Sequence, residues 1–172
     1  MDTDLWYSNV RPPHETTDQL DTSPRRRVRT AVKAIIIRNE HLLTIKMQDQ
    51  RGIFYTLPGG GQERGEALPD ALRRECLEEI GLAVEVGALR FVRDHIVRRE
   101  VDDVHQLDLF FLCSIAANAE PTVGHIPDTA QIGVAWLPLT DLEAYRFYPQ
   151  VLRPILAHGF DNTMPVYLDE AR

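Results

Sequence analysis

The chain is predicted to be an α+β protein, a sandwich built on a mixed β-sheet. Three observations lead there. Several β-rich stretches precede one amphipathic helix, and further strands follow before short helices near the end. This order does not alternate as a regular βαβ series does. No G-x-G-x-x-G motif follows the first strand, so a dinucleotide-binding Rossmann unit is not expected. With 172 residues and 44% apolar content, the chain is long and apolar enough for one domain with a proper core.

Residues 1–26 are polar, carry Pro12, Pro13 and Pro24, and show no period. They are expected to form an N-terminal arm, with Trp6 and Tyr7 as docking points. "VRTAVKAIIIR" (28–38) and "HLLTIKM" (41–47) are rich in aliphatic residues, and the two-residue link "NE" predicts a hairpin. "GIFYTL" (52–57) is a third strand, stopped by "PGGG", which neither continues a strand nor opens a helix. Residues 67–80 are predicted to be helical. Glu66 stands just before the start, where a carboxylate favours the helix dipole; Pro69 falls in the first turn and Gly81 at the C′ position. A long strand over 83–97 is expected to bend at Gly87. In "HQLDLFFLCSIA" (105–116), Leu107, Leu109, Phe111, Cys113 and Ile115 alternate onto one face. A polar loop (117–130), a strand (132–139) and helices at 140–145 and 149–158 complete a domain expected to span 27–160. Residues 161–172 are expected to be a C-terminal tail.

The net charge of −7 disfavours stable binding to nucleic acid or an anionic membrane, and any anionic substrate needs a cation between itself and the protein. Cys76 and Cys113 lie in apolar stretches without a paired framework, the pattern of buried thiols in a reducing compartment. The first residues have no apolar signal core, and the longest aliphatic run, Ala34–Ile37, is far too short to span a bilayer. The expected location is the cytoplasm.

The helix poses the chemical question. Glu75, Glu78 and Glu79 crowd into five residues, and like charges at i,i+3 and i,i+4 repel by roughly 0.2–0.5 kcal/mol per pair. At about 100° per residue, the three acids share one arc beside the apolar stripe of Leu72, Cys76 and Ile80. That arc lies at the edge of the core, where partly desolvated carboxylates need a counter-charge. Arg74 neutralises one acid and Arg73 points to solvent. The acids that remain suit hard divalent cations with oxygen ligands. A glycine loop lets backbone approach a metal or a phosphate closely.

From Gly60 there are five residues to Glu66 and seven more to Arg74, followed by "RECLEEIGL". This spacing resembles the Nudix box, G-x5-E-x7-R-E-U-x-E-E-x-G-U with U apolar. Gly60, Glu66, Arg74, Glu75, Cys76, Glu78, Glu79, Gly81 and Leu82 fill its positions, and Cys76 stands where an aliphatic residue is commoner. "LPGG" and "AWLPL" extend the likeness over roughly residues 28–158. The resemblance implies a MutT-like α/β/α sandwich with a loop-helix-loop catalytic motif. It implies an enzyme that uses Mg²⁺ or Mn²⁺ to hydrolyse the pyrophosphate linkage of a nucleoside diphosphate joined to another moiety, such as ADP-ribose, a nucleotide sugar or an oxidised nucleoside triphosphate. By position, Glu75 and Glu79 are implied as principal metal ligands, with Glu78 as a further ligand and the Gly60 carbonyl completing the sphere. Glu78 and Glu79 are also the implied catalytic glutamates. Arg74 is implied to orient a catalytic glutamate, and Glu66 to brace loop and helix.

Outside the box, Glu100, Asp102, Asp103 and Asp128 are candidates for an additional base or ligand. For His105 and Asp108 a satisfied structural role is favoured over a place in the cleft. Phe54, Tyr55, Phe91 and Phe110 are candidates to stack a base, with core packing favoured for most. Arg93, Arg98 and Arg99 are candidates to bind a terminal phosphate. The alternative function is a non-catalytic nucleotide-binding regulatory module; such modules are expected to lose box glutamates, and none is lost here. A homodimer, with the 1–26 arm across the partner subunit, is weighed against a disordered arm.

Overall fold

The computed structural model describes residues 28–97, 104–160 and 164–168. In chain order, β1 is Arg29–Arg38, β2 His41–Asp49, β3 Gly52–Thr56, α1 Leu68–Ile80, β4 Glu85–Val97 and β5 Val104–Ser114. β6 (Gln131–Pro138), a 3-10 helix (Leu139–Ala144), β7 (Phe147–Tyr148), α2 (Leu152–His158) and β8 (Tyr167–Leu168) follow.

The predicted β1–β2 hairpin is present and short. Asn39 and Glu40 both take positive φ, 51° and 60°, as a tight hairpin turn requires. Only Ile37↔Leu42 and Arg38↔His41 pair across it. Beyond them the strands part company. β1 runs parallel to β5 from Arg29↔Gln106 to Ile36↔Cys113, while β2 pairs antiparallel with both β3 and β6. β4 lies antiparallel to β5. The sheet is therefore mixed, in the order β7-β3-β2-β1-β5-β4-β8, with β6 against β2.

Alternation along β1 and β5 divides the core in two. Val32, Ala34, Ile36, Leu109 and Phe111 pack with Leu72, Cys76 and Ile80 of α1. Ile35 and Phe110 pack on the opposite side with Phe91, Leu152 and Leu156, the last two from α2. A helix thus covers each side of the sheet, giving the α/β/α sandwich. The stripe predicted for α1 is fully buried, and burying Leu72 and Ile80 contributes roughly 1.5–3 kcal/mol each.

α1 begins one residue later than predicted, with Ala67 as the N-cap, and ends at Gly81 in the left-handed conformation, φ 65°. Glu66 does not cap it; its carboxylate turns to Arg74 instead. The bend at Gly87 is present as irregularities in the β4–β5 register between Val86 and Phe91. Two short strands went unforeseen. β7 pairs with β3 in parallel. β8 lies in the stretch expected to be a tail, yet it pairs in parallel with β4 and buries Leu168 in the α2-side core. The arm with Trp6 and Tyr7, and Arg98, Arg99, Glu100, Asp102 and Asp103, lie outside the described residues.

Leu168→Ala is expected to destabilise the protein by about 2–4 kcal/mol in urea unfolding, as truncation of a buried leucine does. A loss well below 1 kcal/mol would mean that β8 does not hold its place in solution.

Candidate active site

The gap left where β1 and β2 separate is filled by the glycine loop. Ala34 donates its N–H to the Pro58 carbonyl and Val32 to the Gly60 carbonyl, both at 2.9 Å, and Gln62 donates back to Thr30 at 3.0 Å. Gly59 takes φ +122°, and a Cβ there would lie 2.1 Å from the Val32 carbonyl oxygen. A Cβ on Gly60 would lie 2.5 Å from Oε2 of Glu75. The first glycine is needed for its backbone conformation and its tight seat on β1. The second is needed because a carboxylate of α1 closes onto it.

α1 supplies the acids. Glu79 is 8% exposed, and Oε2 of its carboxylate accepts the Gly59 N–H at 2.7 Å. Burial raises its pKa to about 7, against the opposing effects of the Lys33 charge and the Gly59 hydrogen bond. Arg74 spreads its guanidinium over the rest. Nε and Nη2 grip both oxygens of Glu66 at 2.9 and 3.1 Å. Nη1 donates to Glu75 at 2.8 Å, Nη2 reaches the Gly61 carbonyl at 3.0 Å, and Glu78 Oε2 lies 3.5 Å from Nη1. Glu66, held by Arg74 and by the Glu63 N–H, has its pKa lowered, and that of Arg74 is raised in return, chiefly by Glu66.

A further segment seals the end of the helix. The N–H groups of Thr122, Gly124 and Ile126 bond the carbonyls of Ile80, Glu79 and Glu78, each at 3.1 Å, and Gln131 Nε2 adds a 2.7 Å bond to the Glu79 carbonyl. The loop carries Asp128 to the wall of a cleft of about 460 Å³, which is also lined by Arg29, Lys33, Gly59, Gly60, Glu75, Glu79 and Gln106.

Glu66, Arg74, Glu75, Glu78, Glu79 and Gly60 are therefore brought together, and Asp128 stands beside them. Other candidates are elsewhere. Asp108 is buried in an ion pair with Arg93 and accepts a 2.7 Å bond from Gln106, which removes Arg93 as a phosphate ligand and gives Asp108 a structural role. His105 bonds Asp94 at 2.8 Å. Phe91 and Phe110 are core residues; Phe54 and Tyr55 pack edge-on against Tyr148 and Tyr145 and do not line the cleft. Arg29, Lys33 and Gln106 also line the cleft and are not among the residues the sequence pattern points to. The signal for Lys33 was a lone cation inside the aliphatic run "AVKAIII".

Among the described residues, no three His, Cys, Asp or Glu side chains stand together as a ready-made metal cluster. The reason is visible in the contacts: Arg74 draws Glu75 and Glu78, while Glu79 faces the Gly59 N–H. The donors themselves, carboxylates and a glycine carbonyl with a free lone pair beside its bond to Val32, are the hard oxygen set that Mg²⁺ or Mn²⁺ takes.

A family model for the NUDIX domain matches residues 27–158. The chain belongs to the Nudix family. A nucleoside triphosphatase NudI from Enterobacter sp. (strain 638) is 38% identical over 106 residues, covering 56% of this chain and 74% of the relative. The NudI of Salmonella agona (strain SL483) is 31% identical over 141 residues, 76% of this chain and 99% of the relative. Among solved structures, a MutT Nudix hydrolase from Burkholderia pseudomallei aligns with a TM-score of 0.56 at 31% identity, over 66% of this chain and 84% of that one. This Nudix chain is a pyrophosphohydrolase with an α+β fold. Among the described residues, no helix is long and apolar enough to cross a membrane.

Glu79 makes metal-free stability depend on pH. Its folded pKa, about 7, lies above its ordinary 4.5, so the folded state binds this proton more tightly. The contribution is full below about pH 4.5 and is lost as pH rises through 7, amounting to about 3 kcal/mol. Glu79→Gln removes the titration and keeps an acceptor for Gly59. In metal-free urea melts, the stability of the variant relative to wild type should rise by about this amount between pH 4.5 and 8. A difference that stays flat with pH would mean that Glu79 ionises as an ordinary exposed acid.

Proposed function

We propose that this Nudix enzyme hydrolyses nucleoside triphosphates and related nucleoside diphosphate derivatives, with Glu75, Glu79 and Glu78 holding Mg²⁺ or Mn²⁺ and the Gly60 carbonyl adding a ligand. The observation that carries the reading is the closure of the Glu75 and Glu79 carboxylates on the glycine loop, within a cleft that also presents Arg29 and Lys33. The activity named for the NudI relatives, at 38% and 31% identity, supports a nucleoside triphosphate as the first substrate to test.

The bound ions supply charge neutralisation and Lewis acidity at the diphosphate. The chain does the rest. Glu66 fixes Arg74 with two hydrogen bonds, and Arg74 in turn orients Glu75 and Glu78, so three carboxylates are positioned by one planar guanidinium. Asp128 lines the same cleft from the loop, with one carboxylate oxygen accepting the Ala130 N–H at 3.0 Å and the other available to take the proton of the attacking water. Water attacks phosphorus directly, with no enzyme-bound phosphoryl intermediate.

The test is a single turnover of the full chain with Mg²⁺ in ¹⁸O-water, over a panel of nucleoside triphosphates, nucleotide sugars, ADP-ribose and dinucleotides. Label is expected in a phosphate product. Asp128→Asn is expected to lower kcat by about 10²–10⁴-fold with metal affinity little changed, as loss of a general base does. Glu75→Gln should lose both activity and metal affinity. No turnover across the panel, with nucleotide binding intact, would replace this reading with a regulatory binding module.

A further inference from the structure

Lys33 is a cation that the chemistry above leaves without an assignment. It stands in the middle of β1, where Val32, Ala34, Ile35 and Ile36 are all buried. Its ammonium donates to the Gly59 carbonyl and lies 3.5 Å from the Leu57 carbonyl. The same Gly59 residue donates its N–H to Glu79 at 2.7 Å. Gly59 therefore joins an internal cation on one side to the buried carboxylate on the other. The Lys33 charge acts on Glu79 in the direction of ionisation, opposing burial. Arg74 does the same service for Glu75 and Glu78 through direct contacts. The charges of the three box acids are thus offset in part by the chain's own cations and a backbone N–H, consistent with the lack of a preformed metal cluster among the described residues.

The two cations are not alike. Arg74 is fixed by a bidentate grip on Glu66, whereas Lys33 is a point charge on a flexible stem, held by the carbonyl oxygens of Gly59 and Leu57. A divalent ion seated between Glu75, Glu79 and the glycine loop repels an ammonium at that loop. Lys33 is the partner that can move. Arg29, four residues earlier on the same face of the strand, lines the same cleft.

We propose that Lys33 is a built-in counter-ion of the Gly59–Glu79 cradle, which competes with the divalent ion for that cradle and, once displaced, turns to the phosphates of the substrate. This rests on the metal-binding reading above. The ion-free protein then holds its acids together without metal, and metal loading exposes an extra cation in the cleft just when an anionic substrate must bind. Affinity for the ion alone is lower than the carboxylates would give unaided, and selectivity shifts toward the ion-substrate complex.

The experiment measures Mn²⁺ binding to the full chain without nucleotide, by the EPR signal of free Mn²⁺, for wild type, Lys33→Met, Lys33→Arg and Glu79→Gln. Melting temperatures are recorded with and without saturating Mn²⁺. Lys33→Met is expected to bind Mn²⁺ on the order of tenfold more tightly, within the usual range of coupling between two sites. Its Mn²⁺-induced rise in melting temperature should exceed that of wild type. Lys33→Arg keeps the charge and should stay near wild-type affinity. Equal affinity in wild type and Lys33→Met overturns the proposal, as does a Lys33→Met melting temperature lowered equally with and without Mn²⁺, the sign of a structural strut. Wild type and Glu79→Gln binding Mn²⁺ equally, or neither binding it, would overturn the metal reading itself and this proposal with it.

Discussion

Everything in the cleft depends on the seating of Pro58–Gly60 against β1. The hairpin that opens the fold pairs at only two positions before its strands take different partners. The gap this leaves exposes the β1 N–H groups of Val32 and Ala34, and a buried N–H without an acceptor is costly. The loop carbonyls of Gly60 and Pro58 supply the acceptors. Because the loop pairs like a strand yet turns like a coil, its glycine positions are restricted by space on both sides: the backbone of β1 against Gly59 and the Glu75 carboxylate against Gly60. The site is therefore built on sheet hydrogen bonding and not on a mobile surface loop.

The second constraint is charge. Three glutamates on one arc of α1 would repel in water and repel more strongly at the edge of a core. The chain answers with Arg74, whose fork spans Glu66, Glu75, Glu78 and the Gly61 carbonyl. A lysine could not make these contacts at once, because it presents one point charge instead of a planar set of donors. Glu79 is left outside that reach. Its environment is the Gly59 N–H, the Lys33 charge and a buried position, and the raised pKa records that the compensation is incomplete. An incompletely compensated buried carboxylate is a place where a metal ion gains the most.

Much of this was legible in the sequence because it is local. Helical geometry fixed which faces of α1 carry acids and which carry Leu72, Cys76 and Ile80, and the spacing from Gly60 to Leu82 identified the box. Strand alternation separated Leu109 and Phe111 from Phe110, and the structure puts them in different halves of the core. What was not legible depends on long-range pairing. β7 and β8 are two-residue strands, too short to carry a period, and exist only because β3 and β4 offer them an edge. Arg93 looked like a surface cation, since its partner Asp108 lies 15 residues away on the neighbouring strand. Lys33 falls on the inward side of β1, and only the path of the glycine loop shows that its ammonium has carbonyls to bond.

The segment from Thr122 to Gln131 ties the helix end to the part of the cleft lined by Ile126, Pro127, Asp128 and Thr129. The last turn of α1 has no basic residue, so the negative end of its dipole adds to the charge of the glutamates beside it. Carbonyls that the helix leaves without partners need donors. Thr122, Gly124 and Ile126 supply them in a strand-like row, and Gln131 adds a side-chain donor. The approach is so close that a Cβ on Gly124 would lie 2.1 Å from the Glu78 carbonyl oxygen, which leaves room for glycine alone. The donors offset the dipole at the carbonyls of Ile80 and of Glu78 and Glu79, two members of the acidic arc. Asp128 lies between Ile126, the last backbone donor of this row, and Gln131, whose side chain bonds the Glu79 carbonyl, so its stretch of loop is tied at both ends to the helix that carries Glu79. A shift of the loop along the helix would break those bonds, so movement of this stretch relative to the helix carries their cost. The acid on the loop is thus linked to the acids on the helix through the loop's bonds to the helix carbonyls.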